Sequence, residues 1–459
     1  MKAKTVWETL DKKGLKAVNT FAAEYEAFLS DSKTEREFTA NAVELAEAAG
    51  YHDLAKVEGP LSAGDRVYAV NRHKNVSLFV IGSQPLSDGM TILGAHIDSP
   101  RIDLKQHPLY EKDGLCLFDT HYYGGIKKYQ WVARPMALHG VVCRKNGSTV
   151  QITIGESDDD PVLGISDLLV HLAGEQMKKP AAQVIEGEKL DILAGSIPSK
   201  DAKKEEDSVR KNVMDLLNEK YGIEEDDFVS AELELVPAGK ARDYGIDRSM
   251  IMGYGHDDKV CAYTSLRAIL DEKHPKRTAC CILVDKEEIG SVGATGMQSR
   301  FFEDVVSDLL DRQGLTSIKN LNETFRNSKM LSSDVSVAVD PLYSEVNELK
   351  NSAYLGRGIV FNKYTGSRGK YSSNDANAEF IAEVRAAMDK DDIMFQTSEL
   401  GAVDAGGGGT IAYILAQLNM DVIDAGIAVL NMHAPCEIVS KADVYEGYLA
   451  YKAFLKNIH

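Results

Sequence analysis

Ala279-Cys280-Cys281-Ile282-Leu283-Val284-Asp285-Lys286-Glu287-Glu288 is an apolar run that stops abruptly at charge and ends on two adjacent glutamates. It reads as a buried strand whose carboxyl end carries metal-type ligands. Three other runs end in the same way. Thr91-Ile92-Leu93-Gly94-Ala95 leads into His96, Met330-Leu331-Ser332-Ser333 into Asp334, and Ile427-Ala428-Val429-Leu430-Asn431-Met432 into His433. In open α/β sheets the carboxyl ends of the strands line the crevice where ligands bind, so residues distant along the chain are expected to converge.

Outward from these runs, the first 50 residues read as helices, with apolar residues at helical spacing from Leu15 to Phe28 and from Phe38 to Ala49. Short β runs follow between Val67 and Gly94. After Arg242, helices alternate with buried-type strands to the end, including helices near Lys259–Asp271, Ala376–Met388 and Ala442–Asn457. This pattern predicts an α/β fold with a mostly parallel sheet flanked by helices. Between about 104 and 243 the texture changes to short strands broken by Gly, Asn and Asp turns, with a charged helical stretch from Lys203 to Lys220. The expected organisation is therefore a catalytic α/β domain in two parts, residues 1–103 and 244–459, interrupted by an inserted β-rich domain, residues 104–243. The run Lys203-Lys204-Glu205-Glu206-Asp207 reads as a solvated face.

A formal net charge of −18 argues against nucleic-acid or anionic-membrane partners, which want clustered positive charge. No apolar run approaches the length of a membrane span and the N-terminus lacks an apolar signal core, so the expected location is cytoplasmic. The six cysteines form no Cys-x-x-Cys pair, and Cys280 and Cys281 sit inside an apolar run, which favours core packing over a thiolate site. The glycine-rich stretch Gly401 to Gly409 lacks the Gly-Lys-Ser/Thr ending of a phosphate loop. Close backbone approach near a substrate suits it better.

A set of His, Asp and Glu suits Zn²⁺, Co²⁺ or Mn²⁺ without thiolate. Two such ions about 3.5–4 Å apart require a bridging carboxylate to offset their repulsion. Asp257, in Gly255-His256-Asp257-Asp258-Lys259 at a helix start, is the candidate bridge. Asp98, two residues after His96, is the nearest carboxylate to orient that imidazole. Glu287 and Glu288, on extended backbone, would point in opposite directions, so that Glu288 binds metal while Glu287 faces the substrate as general base. Taken singly, His-x-Asp is a weak signal and paired glutamates often form a solvated loop; the joint pattern carries the reading.

With these residues assembled, the chain resembles the family of aspartyl aminopeptidase and vacuolar aminopeptidase I over nearly its whole length. The motifs are Gly94-Ala95-His96-Ile97-Asp98-Ser99-Pro100, Asp257-Asp258-Lys259-Val260, Lys286-Glu287-Glu288-Ile289-Gly290-Ser291, Ser333-Asp334-Val335 and Asn431-Met432-His433-Ala434. The resemblance implies a zinc-type aminopeptidase acting on peptides, with two divalent ions per subunit and assembly into a homo-oligomer, usually a tetrahedral dodecamer. On the family pattern His96 and Asp334 serve one ion, Glu288 and His433 the other, and Asp257 bridges them. It also implies that His171, in Leu168-Leu169-Val170-His171-Leu172, reaches a neighbour's active site to steady the tetrahedral intermediate, against the plainer reading of an apolar helix face carrying one His. Gly366-Ser367-Arg368-Gly369-Lys370-Tyr371 matches the region that supplies positive charge to acidic substrates, which makes Arg368 and Lys370 substrate-binding candidates beside a solvated-loop reading.

Two departures bear on substrate preference. Many members have Asn where this chain has Asp258, and the family's His-containing run after the Asp ligand reads here Val335-Ser336-Val337-Ala338-Val339-Asp340. A two-metal deacylase of N-acylated amino acids would use the same ligands, and a non-catalytic assembly protein would share the fold.

Overall fold

The computed structural model describes residues 4–201 and 207–459. These residues form two compact units, one made of residues up to 98, 241–432 and 437–459, the other of 99–240 and 433–436. Of the predicted charged stretch, residues 203–206 lie outside the described residues; the helix seen there is Ser208–Tyr221. Among the described residues no helix is long and apolar enough to cross a membrane.

The larger unit is built on a nine-stranded sheet. Its order is His52–Asp53, Arg66–Asn71, Asn75–Val80, Thr278–Val284, Met90–His96, Lys329–Ser332, Asp421–Gly426, Ile359–Asn362 and Phe395–Thr397. The central strands Thr278–Val284, Met90–His96, Lys329–Ser332 and Asp421–Gly426 run parallel to one another. Thr278–Val284 and Met90–His96 are largely apolar because both faces are covered. Leu93, Cys281, Leu283 and Leu331 pack on one side with the helices Lys12–Ser30, His256–Asp271 and Lys441–Asn457. Ile92, Cys280, Ile282 and Met330 pack on the other with Phe302, Leu309 and Phe325. The mostly parallel α/β reading therefore holds, and so does the core role of Cys280 and Cys281. A second, five-stranded sheet in this unit joins Arg242–Tyr244, Met250–Gly253, Glu437–Ser440, Ala428–Leu430 and Ser336–Val337.

The smaller unit is antiparallel throughout its six-stranded sheet, in the order Thr149–Ile154, Met136–Cys143, Ala231–Pro237, Arg101–Lys112, Leu115–Tyr123 and Ile192–Gly195. Alternation of apolar and polar residues in strands such as Thr149–Ile154 leaves one face for packing and one for solvent.

Register decides what arrives at the strand ends. His96, the last residue of its strand, pairs with Val284, three residues before Glu287. Gly94 pairs with both Ile282 and Ser332, two residues before Asp334. Gly426 ends the next strand, and a β-carbon there would sit 1.7 Å from the Asp334 carbonyl oxygen. Only glycine lets the two backbones approach so closely. Gly426→Ala is expected to destabilise the protein by about 3 kcal/mol, at the upper end of overpacking costs, seen as a lowered urea midpoint. An unchanged midpoint would show that the approach is not a constraint.

Candidate metal centre

The strand ends bring His96, Asp257 and Asp334 together, each offering a ligand atom within 4.8 Å of the others. A carboxylate oxygen of Glu288 lies within the same distance of one from Asp257. Asp257 is thus common to both sides of the cluster. Asp257 is buried, Asp334 and Glu288 are half-buried, and His96 is 1% exposed.

Each group is aimed by local backbone. Asp257 follows the left-handed Gly255, and with Asp258 it has non-helical dihedrals, so the regular helix begins only at Lys259. The Asp257–Asp258 peptide bond is cis. His96 Nδ1 donates to the backbone carbonyl of Asp98 at 3.0 Å and lies 3.4 Å from its carboxylate, which leaves Nε2 facing Asp257 Oδ1 at 3.2 Å. The tautomer is set as a metal ligand requires. Asp98 does more than orient His96. Its two carboxylate oxygens accept the backbone N–H groups of Glu287 (3.1 Å) and Glu288 (3.2 Å).

The two glutamates stand on a 3₁₀ turn, Glu287–Ile289, entered through the left-handed Lys286 and left through the left-handed Gly290. The extended backbone expected there is therefore replaced by a tight turn. Successive residues on it diverge by about 120° rather than 180°, since such a turn has about three residues per revolution.

Crowding dominates the electrostatics. Burial, then the neighbouring carboxylates of Asp258, Asp257 and Glu287, push Asp334 well above the usual carboxylate range, while His96 opposes the shift. Burial does the same to Asp258, with Asp257 and Glu287 adding to it. Burial alone would lower His96, but the side chains of Asp257 and Asp98 raise it well above its ordinary value. Asp285, just before the glutamate turn, is raised to about 6 by burial and by Glu35 and Asp98. Acceptors packed so closely that they hold protons against their ordinary values fit a site for divalent cations, and His with carboxylate oxygens fits zinc.

His433 has a left-handed backbone, and its Nδ1 donates to the Gly125 carbonyl at 2.7 Å within the smaller unit. His171 is exposed on a turn rather than a helix, so the helix-face reading of Leu168–Leu172 fails. That run is polar in neither period, and a turn leaves Val170 75% and Leu172 69% exposed. Arg368 and Lys370 line a cavity of about 200 Å³ with Tyr364, Glu399, Gly401 and Asp404. Lys370 Nζ is 3.1 Å from Asp375 and 3.8 Å from the centre of the Tyr364 ring.

Sequence reasoning passed over three residues at the centre. Glu437, four positions after His433, accepts the backbone N–H of Asp257 at 2.9 Å. His256 is fully buried with Nδ1 2.7 Å from the Tyr25 hydroxyl, and burial lowers it to about 3, so the ring is neutral. The contact with Tyr25 has no local signal.

The profile of the aminopeptidase I zinc metalloprotease family (M18) matches residues 28–455. A relative from Clostridium acetobutylicum, described as a probable M18 family aminopeptidase 1, is 58% identical over 458 residues, covering 99% of this chain and 98% of its own. The crystal structure of an M18 family aminopeptidase from Thermotoga maritima superposes with a TM-score of 0.95 at 43% identity, covering all of both chains. The S. cerevisiae mApe1 dodecamer shares the fold, with a TM-score of 0.75 at 20% identity over 95% of this chain and 96% of that one.

Removing the Asp98 carboxylate leaves the Glu287 and Glu288 N–H groups without their acceptor. Asp98→Ala is expected to lower the stability of the metal-free protein by about 2 kcal/mol in chemical denaturation. An unaltered denaturation curve would show that solvent replaces the carboxylate.

Proposed function

The chain belongs to the aminopeptidase I zinc metalloprotease family (M18) and is a metalloaminopeptidase, and on that premise we propose that it removes N-terminal residues from short peptides with two divalent ions, Glu287 acting as general base. His96 and Asp334 would hold one ion, Glu288 and His433 the other, and Asp257 would bridge them. The observation that carries this reading is the position of Asp257 between the His96–Asp334 group and Glu288. The donation from His433 Nδ1 to Gly125, which makes Nε2 the basic nitrogen, supports its place in the second set.

When bound, the ions supply Lewis acidity, lowering the pKa of the attacking water and polarising the scissile carbonyl. Glu287, on the same turn as Glu288, takes the proton from that water and delivers it to the leaving amine. Asp98 fixes both glutamates by their amides, so the base and the ligand keep one spacing through turnover.

Substrate selection is proposed for the cavity lined by Arg368 and Lys370. Arg368 is exposed and is the cation proposed to meet an acidic side chain, whereas Lys370 contributes only by giving up Asp375. Glu399 and Asp404 line the same cavity and weaken any net attraction for acids. His171 is proposed to act between copies. Its turn carries Leu168, Leu169, Val170 and Leu172 into solvent, an apolar surface suited to burial in a homo-oligomer of the kind named for the S. cerevisiae relative.

Purified protein supplied with Zn²⁺ is expected to release free N-terminal amino acids from short peptides and to leave N-acetylated peptides intact. Glu287→Gln is expected to lower kcat by about 10²–10⁴-fold with zinc content unchanged. Normal turnover by that variant would remove Glu287 from the mechanism, and cleavage of acetylated substrates would favour a deacylase.

A further inference from the structure

A bridging carboxylate has a stricter task than a terminal ligand, because both oxygens must be placed at once for ions about 3.5–4 Å apart. An error of about 0.5 Å in its backbone is enough to loosen such a site. In this chain Asp257 is gripped on its backbone and on the residue before it. Its N–H donates to Glu437 Oε2 at 2.9 Å. Glu437 is itself 1% exposed and begins a strand whose register sets it opposite Gly253. His256, immediately before Asp257, is wedged between two elements: its Nδ1 is hydrogen-bonded with the Tyr25 hydroxyl at 2.7 Å, and its Nε2 would lie 3.4 Å from a β-carbon at Gly253. Tyr25 comes from the helix Lys12–Ser30 and is fully buried. Two elements remote in sequence thus converge on Asp257 and the residue before it.

We propose that Glu437 and the Tyr25–His256 pair are positioning residues for Asp257, setting the affinity for the ion pair without touching either ion. The inference rests on the reading of Asp257 as the bridge. Glu437 fixes the peptide plane entering Asp257, and Tyr25 fixes the side chain of the preceding residue. Loss of either lets the Asp257 carboxylate rotate away from one of its two partners. Groups that support a ligand from outside the metal's own shell typically contribute about 10–100-fold in metal affinity.

The test is zinc titration of the metal-free full-length protein against a chelating dye, with kcat and KM measured in parallel. Glu437→Ala is expected to weaken binding of at least one ion by roughly 10–100-fold and to lower kcat more than it changes KM. Glu437→Gln, which keeps an oxygen acceptor, should restore most of the affinity. Tyr25→Phe deletes one hydroxyl and should weaken zinc by about tenfold. Glutamine as damaging as alanine would overturn the role of Glu437 as an acceptor for the Asp257 amide. If Glu437→Ala does not fold, Tyr25→Phe decides, and wild-type affinity in it overturns the proposal. Asp257→Asn separates the two levels. Two ions held by that variant at wild-type affinity would overturn the bridge itself, whereas weakened binding there with unchanged Glu437→Ala and Tyr25→Phe would overturn only the support.

Discussion

Negative charge converging at one end of a sheet is the constraint around which the larger unit is organised. Asp257, Asp334, Glu288, Asp258 and Glu287 crowd the carboxyl ends of the central strands, with His96 among them. Such groups repel one another in a poorly solvated place, and Asp334 and Asp258 respond by holding protons far more tightly than free carboxylates do. Left to side-chain freedom the acids would turn to solvent. The fold prevents this with short-range devices: the close approach of Gly426 to Asp334, the left-handed entry at Lys286, and the Asp98 carboxylate across two amides. Each trades local strain or desolvation for convergence. On the reading proposed above, a divalent counter-charge would make that convergence favourable.

The central architecture was legible in the sequence because parallel strands covered on both faces must be apolar along their length. The sharp change from Val284 to charge, or from Ala95 to His96, marks where a strand leaves the core. Helix positions were legible within a few residues where one apolar stripe faces the core, as in Lys12–Ser30, which buries Val18, Phe21, Ala22, Tyr25 and Leu29. Strand order was not. That Met90–His96 lies between Thr278–Val284 and Lys329–Ser332 depends on crossovers that no local pattern records.

What the sequence concealed at the site was backbone direction. Glu287 and Glu288 follow a strand, and nothing in their identity distinguishes continued extension from a 3₁₀ turn. The turn is imposed by amides that find their acceptor in Asp98, close in space and remote in the chain. The run from Leu168 to Leu172 misleads in the opposite sense. Its apolar residues suggest an element with a face to bury, yet within one chain it is a turn whose leucines and valine meet solvent. Supporting residues such as Tyr25 and Glu437 are invisible for a simpler reason: a buried Tyr or Glu has no spacing rule that ties it to a partner.

The position of the Met90–His96 strand also has a bearing on when the protein acquires its chemistry. Both neighbours of that strand are encoded far downstream, with the whole of residues 99–240 made in between. A ribosome emits the His96 segment long before the segments that flank it, at a pace of about 5–20 residues per second. On the ligand set proposed above, the nascent chain would therefore offer zinc one ligand at a time. On that ligand set the site would be complete only once the sheet has closed, which would make metallation a late event in the life of the chain.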